Sequence, residues 1–169
     1  MNGVPEIPQG IIALLEIGAK FKYKEMENGE KRYSLSLPDG SEWVQTVAGP
    51  VGGWQNAHSH RGIHEHYIVV TGWMAIARFC HDGEDGLHLE VFVLRPNQSV
   101  TFEPGEAHNI YLPTGAVIHT IKTGVPVGNS DRKMNDWWPE SLLDADSKEL
   151  SEEDIWLQKL SYPREYYNY

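Results

Sequence analysis

An all-β fold, a sandwich or barrel of short strands, is what this 169-residue sequence predicts. Three observations carry that expectation. Turn residues recur at roughly 8–12-residue spacing, the stretches between them are rich in β-branched and aromatic residues, and no long helical period separates them. Length and apolar content suit one domain with a core of its own. The chain reads as a single unit over 1–169, with an N-terminal arm 1–19, a barrel over about 20–124 and a C-terminal extension 125–169. No repeat or low-complexity linker argues for a second domain.

In chain order, residues 8–18 place Ile11, Leu14, Leu15 and Gly18 on one face, the pattern of a short helix. Phe21 and Tyr23 then alternate with lysines, Asn28-Gly29 signals a tight turn, and Tyr33, Leu35 and Leu37 alternate with polar residues before Pro38-Asp39-Gly40. That is the signature of a hairpin. Further breaks stand at Gly52-Gly53, Gly72, Asp82-Gly83, Asp85-Gly86, Pro96-Asn97, Pro104-Gly105 and Pro113-Thr114-Gly115. They delimit strands over 67–71, 73–80, 87–94, 100–103 and 117–123. After Gly128 the strand pattern stops, and Trp137-Trp138-Pro139, Leu142-Leu143 and a Ser-x-x-Asp helix start at Ser151 predict one or two short helices packed outside the barrel.

Composition narrows the function. With 24 acidic against 14 basic residues the formal charge is -10, and no Lys/Arg run tracks a phosphate backbone, so nucleic acid is excluded as a partner. The apolar run 11–15 is interrupted by Glu16 and lacks a basic flank, which fits neither a signal peptide nor a membrane span. Cys80 is the only cysteine, so no intrachain disulfide forms; it reads as a small core residue in a soluble, cytoplasmic protein. Six Trp and eight Tyr suit a pocket wall, a barrel mouth or an interface. A homodimer is expected, with segment 8–26 and the tail tyrosines Tyr162, Tyr166, Tyr167 and Tyr169 reaching a neighbour.

His58 and His60 are two apart, which in a strand puts both imidazoles on one face. Among eight histidines such a pair is not distinctive, and His64-Glu65-His66 supplies a second. The wider register is more informative. Five residues separate Gly52 from His58, four separate His60 from Glu65, six separate Glu65 from Gly72, and Gly105 lies three positions before His108.

This spacing resembles the cupin signature, a first motif of Gly, His-x-His, Glu and Gly, and a second built on Pro, Gly and His. Every defining position of the first motif is matched. The second departs, since Pro104 and Gly105 are adjacent rather than separated by one residue and Leu112 stands where an Asn is common. The resemblance covers roughly residues 40–124. It implies a double-stranded β-helix, a jelly-roll-like barrel with short peripheral helices at the termini, and one divalent transition metal (Fe, Mn, Ni, Zn or Cu) on His58, His60, Glu65 and His108.

Three imidazoles and a carboxylate suit such an ion and leave two octahedral positions open. His64 and His66 have the opposite parity and point away. The resemblance implies a metal-dependent enzyme acting on a small molecule, with a dioxygenase-type oxidoreductase first among the readings. The alternatives are a metal-dependent sugar isomerase or epimerase and a non-catalytic small-molecule-binding cupin. His119, Tyr67 and Tyr111 are candidates to orient substrate or move a proton.

Overall fold

The computed structural model describes residues 15–81, 87–125, 131–133 and 149–160, and the account below is of those residues. The first two strands, β1 (Lys20–Glu25) and β2 (Lys31–Ser36), form the expected hairpin, paired from Lys20 opposite Ser36 to Glu25 opposite Lys31. Its turn is closed by the Asn28 side chain, whose Oδ1 accepts the Glu30 amide at 3.0 Å. Asp39 closes the next turn in the same way, accepting from the Ser41 amide at 2.9 Å. That turn leads into β3 (Glu42–Val47).

There follow β4 (Gly53–Trp54), β5 (His58–His60), β6 (Ile63–Thr71), β7 (Met74–His81), β8 (Leu87–Leu94), β9 (Ser99–Phe102), β10 (His108–Leu112), β11 (Val117–Gly124) and β12 (Asp131–Lys133). They build two antiparallel sheets. One runs β1-β2-β3-β11-β6-β9 and the other β12-β5-β10-β7-β8, with β4 also on β10. The non-consecutive neighbours are crossovers between the layers, the jelly-roll pattern. β12 falls where only helices were expected, and it extends the second sheet by pairing with β5.

Between the sheets lies an apolar cluster of Val69, Met74, Ile76, Phe102, Ile110 and Ile118, with others around it. A second cluster covers the opposite face of the second sheet, where Ala75, Ala77 and Tyr111 meet Trp54 and Ile155. Ile155 belongs to α1 (Glu152–Leu160), the helix expected after Ser151. Its start is a capping box: the Ser151 amide donates to Asp154 Oδ2 at 2.8 Å and the Asp154 amide to Ser151 Oγ at 3.1 Å. Nine residues are too few for an independent helix, so docking of Ile155 holds it.

Gly52 has a steric reason. A Cβ there would lie 2.5 Å from Glu149 Oε2 and 2.6 Å from the Tyr111 hydroxyl oxygen. Glu149 uses that space to accept the Gly52 amide at 2.7 Å and the Thr114 hydroxyl at 2.7 Å, pinning the segment before α1 to the barrel end. Gly72, in the β6–β7 turn, has φ +74, a conformation other residues rarely adopt.

The helix expected over 8–18 lies mostly outside the described residues, as do the Asp82-Gly83 and Asp85-Gly86 turns, Trp137-Trp138-Pro139, Leu142-Leu143 and the four tail tyrosines. Among the described residues no helix is long and apolar enough to cross a membrane.

Candidate metal centre

Strand alternation sets His58 and His60 on one face of β5 with Ser59 between them on the other. Directly across the ladder, His108 on β10 is the register partner of His58, and the two rings lie 4.7 Å apart. Glu65 comes from β6 in the facing sheet. Its carboxylate is fully buried, and all three imidazoles point Nε2 at one oxygen, Oε2: His60 and His108 from 3.0 Å, His58 from 3.8 Å. His58, His60 and Glu65 alone put donor atoms within 4.8 Å of one another. Metal–ligand bonds of about 2 Å bring neighbouring donors to such separations around one ion.

The far side of the rings fixes their tautomers. His58 Nδ1 sits 2.8 Å from the Asn56 carbonyl and His108 Nδ1 3.1 Å from the Glu106 carbonyl, so each Nδ1 carries the proton and donates it outward. That leaves an Nε2 lone pair facing the centre, the arrangement of metal-binding histidines. Burial, reinforced by His108 nearby, pushes the His58 imidazole down to about 4, which keeps it neutral at pH 7. His108 Nε2 is buried and makes no hydrogen bond among the described residues, although it faces a carboxylate oxygen. Two lone pairs opposed at 3.0 Å repel unless a cation lies between them. The residues present therefore fit a divalent ion.

Three more side chains shape the site. Lys122 on β11 is the cross-strand partner of Glu65, and its Nζ lies 2.8 Å from Oε1, a close ion pair by distance though not aligned as a hydrogen bond. Phe102 on β9 pairs with Glu65 on its other side and stacks its ring on His108, with centroids 3.9 Å apart and planes at 11°. The Tyr67 hydroxyl donates to Glu65 Oε2 at 3.3 Å. Burial raises the Glu65 carboxyl and the Lys122 charge opposes it; the net direction is downward, well below the usual carboxylate range, so the group is ionised. Tyr67 moves up, through its own burial and the Glu65 charge, and so remains a phenol.

Of the seven residues picked out from the sequence, His58, His60, Glu65, His108 and Tyr67 come together here. His119 and Tyr111 do not. His119 lies on the outer face of β11 with its ring 5.1 Å from that of Trp43, because the inward parity belongs to Ile118, Thr120 and Lys122. Tyr111 points into the second apolar cluster, between Trp54 and Trp73, and its oxygen accepts the Leu150 amide. It is a packing residue, pushed up to about 12 by burial. His64 points outward and contacts Glu103, as its parity requires. Lys122, Phe102 and Arg32, which also lines the cavity beside Glu65, went unrecognised in the sequence. The available signal was register, since Lys122 shares its face with Thr120 rather than with the more apolar Val117 and Ile121.

No protein-family model matches the sequence, and no curated protein matches it either. Solved structures do share its fold. Oxalate decarboxylase from Bacillus subtilis at pH 4.6 superposes with a TM-score of 0.55 at 18% identity, over 70% of this chain and 31% of that chain. A Bacillus subtilis oxalate decarboxylase studied for its Mn(II) centres gives 0.52 at 17% identity, over 75% of this chain and 33% of that one. Drosophila melanogaster CENP-C bound to CAL1 gives 0.50 at 10% identity, over 64% and 82%. The chain thus spans about a third of the length of the decarboxylases it matches. One fold serves an enzyme and a protein-binding module, so function must be argued from the site.

Proposed function

Starting from a cupin fold with the His-x-His, Glu and His of that family on its inner wall, we propose that this chain is a metal-dependent oxidoreductase of dioxygenase type acting on a small molecule. The observation that carries the reading is the convergence of three imidazole Nε2 atoms on Glu65 Oε2 from two facing sheets. His58, His60, Glu65 and His108 hold the ion. When bound, a redox-active divalent metal supplies Lewis acidity, electron transfer and two coordination positions free of protein, enough for a substrate and dioxygen together.

The chain's own residues do the rest. The Asn56 and Glu106 carbonyls keep His58 and His108 in the tautomer that presents a lone pair. Lys122 and Tyr67 fix the Glu65 carboxylate from either oxygen. Phe102, stacked on His108, keeps water from that ring. A cavity of about 180 Å³ beside Glu65 and Tyr67, which shares Arg32, Gln55, His58 and Lys122 with a wider outer chamber, would admit substrate to the site. For the isomerase alternative, His119 faces out of the barrel and is removed as the base, which leaves Glu65, with Tyr67 beside it, as the group that would move the proton.

The test is metal analysis of the purified chain followed by oxygen uptake with candidate small molecules under air and argon. Iron or another redox ion with substrate-dependent uptake, both lost in His108→Ala, is the expected result. Turnover that proceeds equally under argon would overturn the oxygenase reading.

A further inference from the structure

The cavity beside the metal centre has a composition of its own. The whole chain carries a charge of -10, yet its inner wall presents Arg32 from β2 and Lys122 from β11, with the hydroxyls of Ser34, Thr46 and Thr120 between and around them. These positions share one face by register: Arg32 pairs with Thr46, Thr46 with Ile118, and Lys122 with Glu65. The outer chamber adds Lys24, whose cross-strand partner is Arg32, together with Glu25, Glu27 and Glu30, so the positive wall is that of the inner cavity.

We infer that this wall receives the acidic group of a small carboxylate substrate, held by Lys122 and Arg32. The inference deepens the reading above and rests on it for the word substrate. Lys122 has three N–H donors and one ion-pair partner among the described residues, Glu65 Oε1. The side chain lines the cavity. Arg32 donates Nε to Glu30 and reaches Gln55 from one terminal nitrogen at 3.4 Å, which leaves further guanidinium donors for an incoming anion.

Charge counting points the same way. A divalent ion on three neutral imidazoles and Glu65 leaves one positive charge, and Lys122 makes two. Glu42, the other acid lining this cavity, brings the sum back to one, and Arg32 is balanced by Glu30. An anion satisfies the remainder, whereas a neutral sugar does not. The inner cavity, about 180 Å³ and lined in part by Val44, Ile110 and Ile118, suits a compact acid, with the wider chamber outside it.

The experiment is calorimetry on the full chain, Mn(II)-loaded and metal-free, with lactate, malonate, lactamide and inorganic phosphate as probes. Lactate or malonate should bind and lactamide should not. Lys122→Met and, independently, Arg32→Gln should each weaken carboxylate binding about tenfold or more, as expected for loss of a charge-assisted hydrogen bond, with Mn(II) stoichiometry at saturation unchanged in Arg32→Gln, which touches none of the ligand residues. Equal binding of lactamide, tighter binding of phosphate than of either carboxylate, or carboxylate affinity unaltered in both variants overturns the inference while the metal reading stands. A chain that takes up no Mn(II) but still binds malonate through Lys122 and Arg32 sinks the metal reading and supports the anion site.

Discussion

At the scale of single residues the site depends on which side of β6 a group occupies. Glu65 is fully buried and faces three imidazoles, while its neighbour His64 is half exposed and faces Glu103. Glu65→Gln should therefore lower metal occupancy strongly, whereas His64→Ala should leave it near the parent value; elemental analysis of the two variants decides, and the opposite order would contradict the register. Cys80 gives a second test at this scale. Burial and the hydrogen bond to Glu90 raise its thiol above the ordinary value, so little thiolate forms at pH 7. Alkylation by iodoacetamide should be slower than that of a free cysteine peptide at pH 7 and should accelerate only at higher pH; a rate equal to the peptide's would show the thiol to be unperturbed. The four residues proposed as ligands could be picked out in the sequence because a metal motif is a matter of spacing, and the structure brings them together. Lys122, Arg32 and Phe102 could not, because what makes them matter is a cross-strand partner far away in the chain.

Among the elements, β11 and β2 were expected as strands, but which of their faces meets the site was not legible. Alternation assigns the more apolar parity of a strand to the core, yet in β11 the inward residues are Ile118, Thr120 and Lys122 and the outward ones Val117, His119 and Ile121. At this end the barrel interior is a polar site, so the usual rule inverts. The same holds in β2, where Arg32 and Ser34 line the cavity while Tyr33 and Leu35 take the other face. β10 escaped notice for a different reason. Its five residues are all buried, inward against the sheets' shared core and outward under Trp54, so no alternation survives. α1, by contrast, was visible from its capping pattern. Because Ile155 is the fully buried side chain of that helix among the described residues, Ile155→Ala should cost about 2–5 kcal/mol, read as a lowered denaturation midpoint. Gly52→Ala should destabilise as well, since its methyl group would displace Glu149 and the Tyr111 hydroxyl. Unchanged unfolding curves for both would mean that the segment before and within α1 does not pack as described.

For the whole molecule, stability and metal binding are separable. The two apolar clusters draw on β4, β6, β7, β8, β9, β10 and β11 and include none of the four ligand residues. A buried side chain of the Val69 or Ile76 kind contributes on the order of 1.5–3 kcal/mol. An ion bound to the formed site adds a linkage contribution of about 4 kcal/mol at a thousandfold excess over Kd. Chelation should accordingly lower the melting temperature without abolishing the β-sheet circular dichroism, and a random-coil spectrum at room temperature would make the site structural instead. Four residues from three strands are proposed to hold one divalent ion inside the barrel, and titration of the metal-free chain with Mn(II) is the decisive measurement. The account predicts saturation near one ion per chain in the parent, with binding lost in His108→Ala, whose imidazole comes from the strand facing His58. Absence of saturable binding in the folded parent, or full binding in His108→Ala and Glu65→Gln alike, would contradict it.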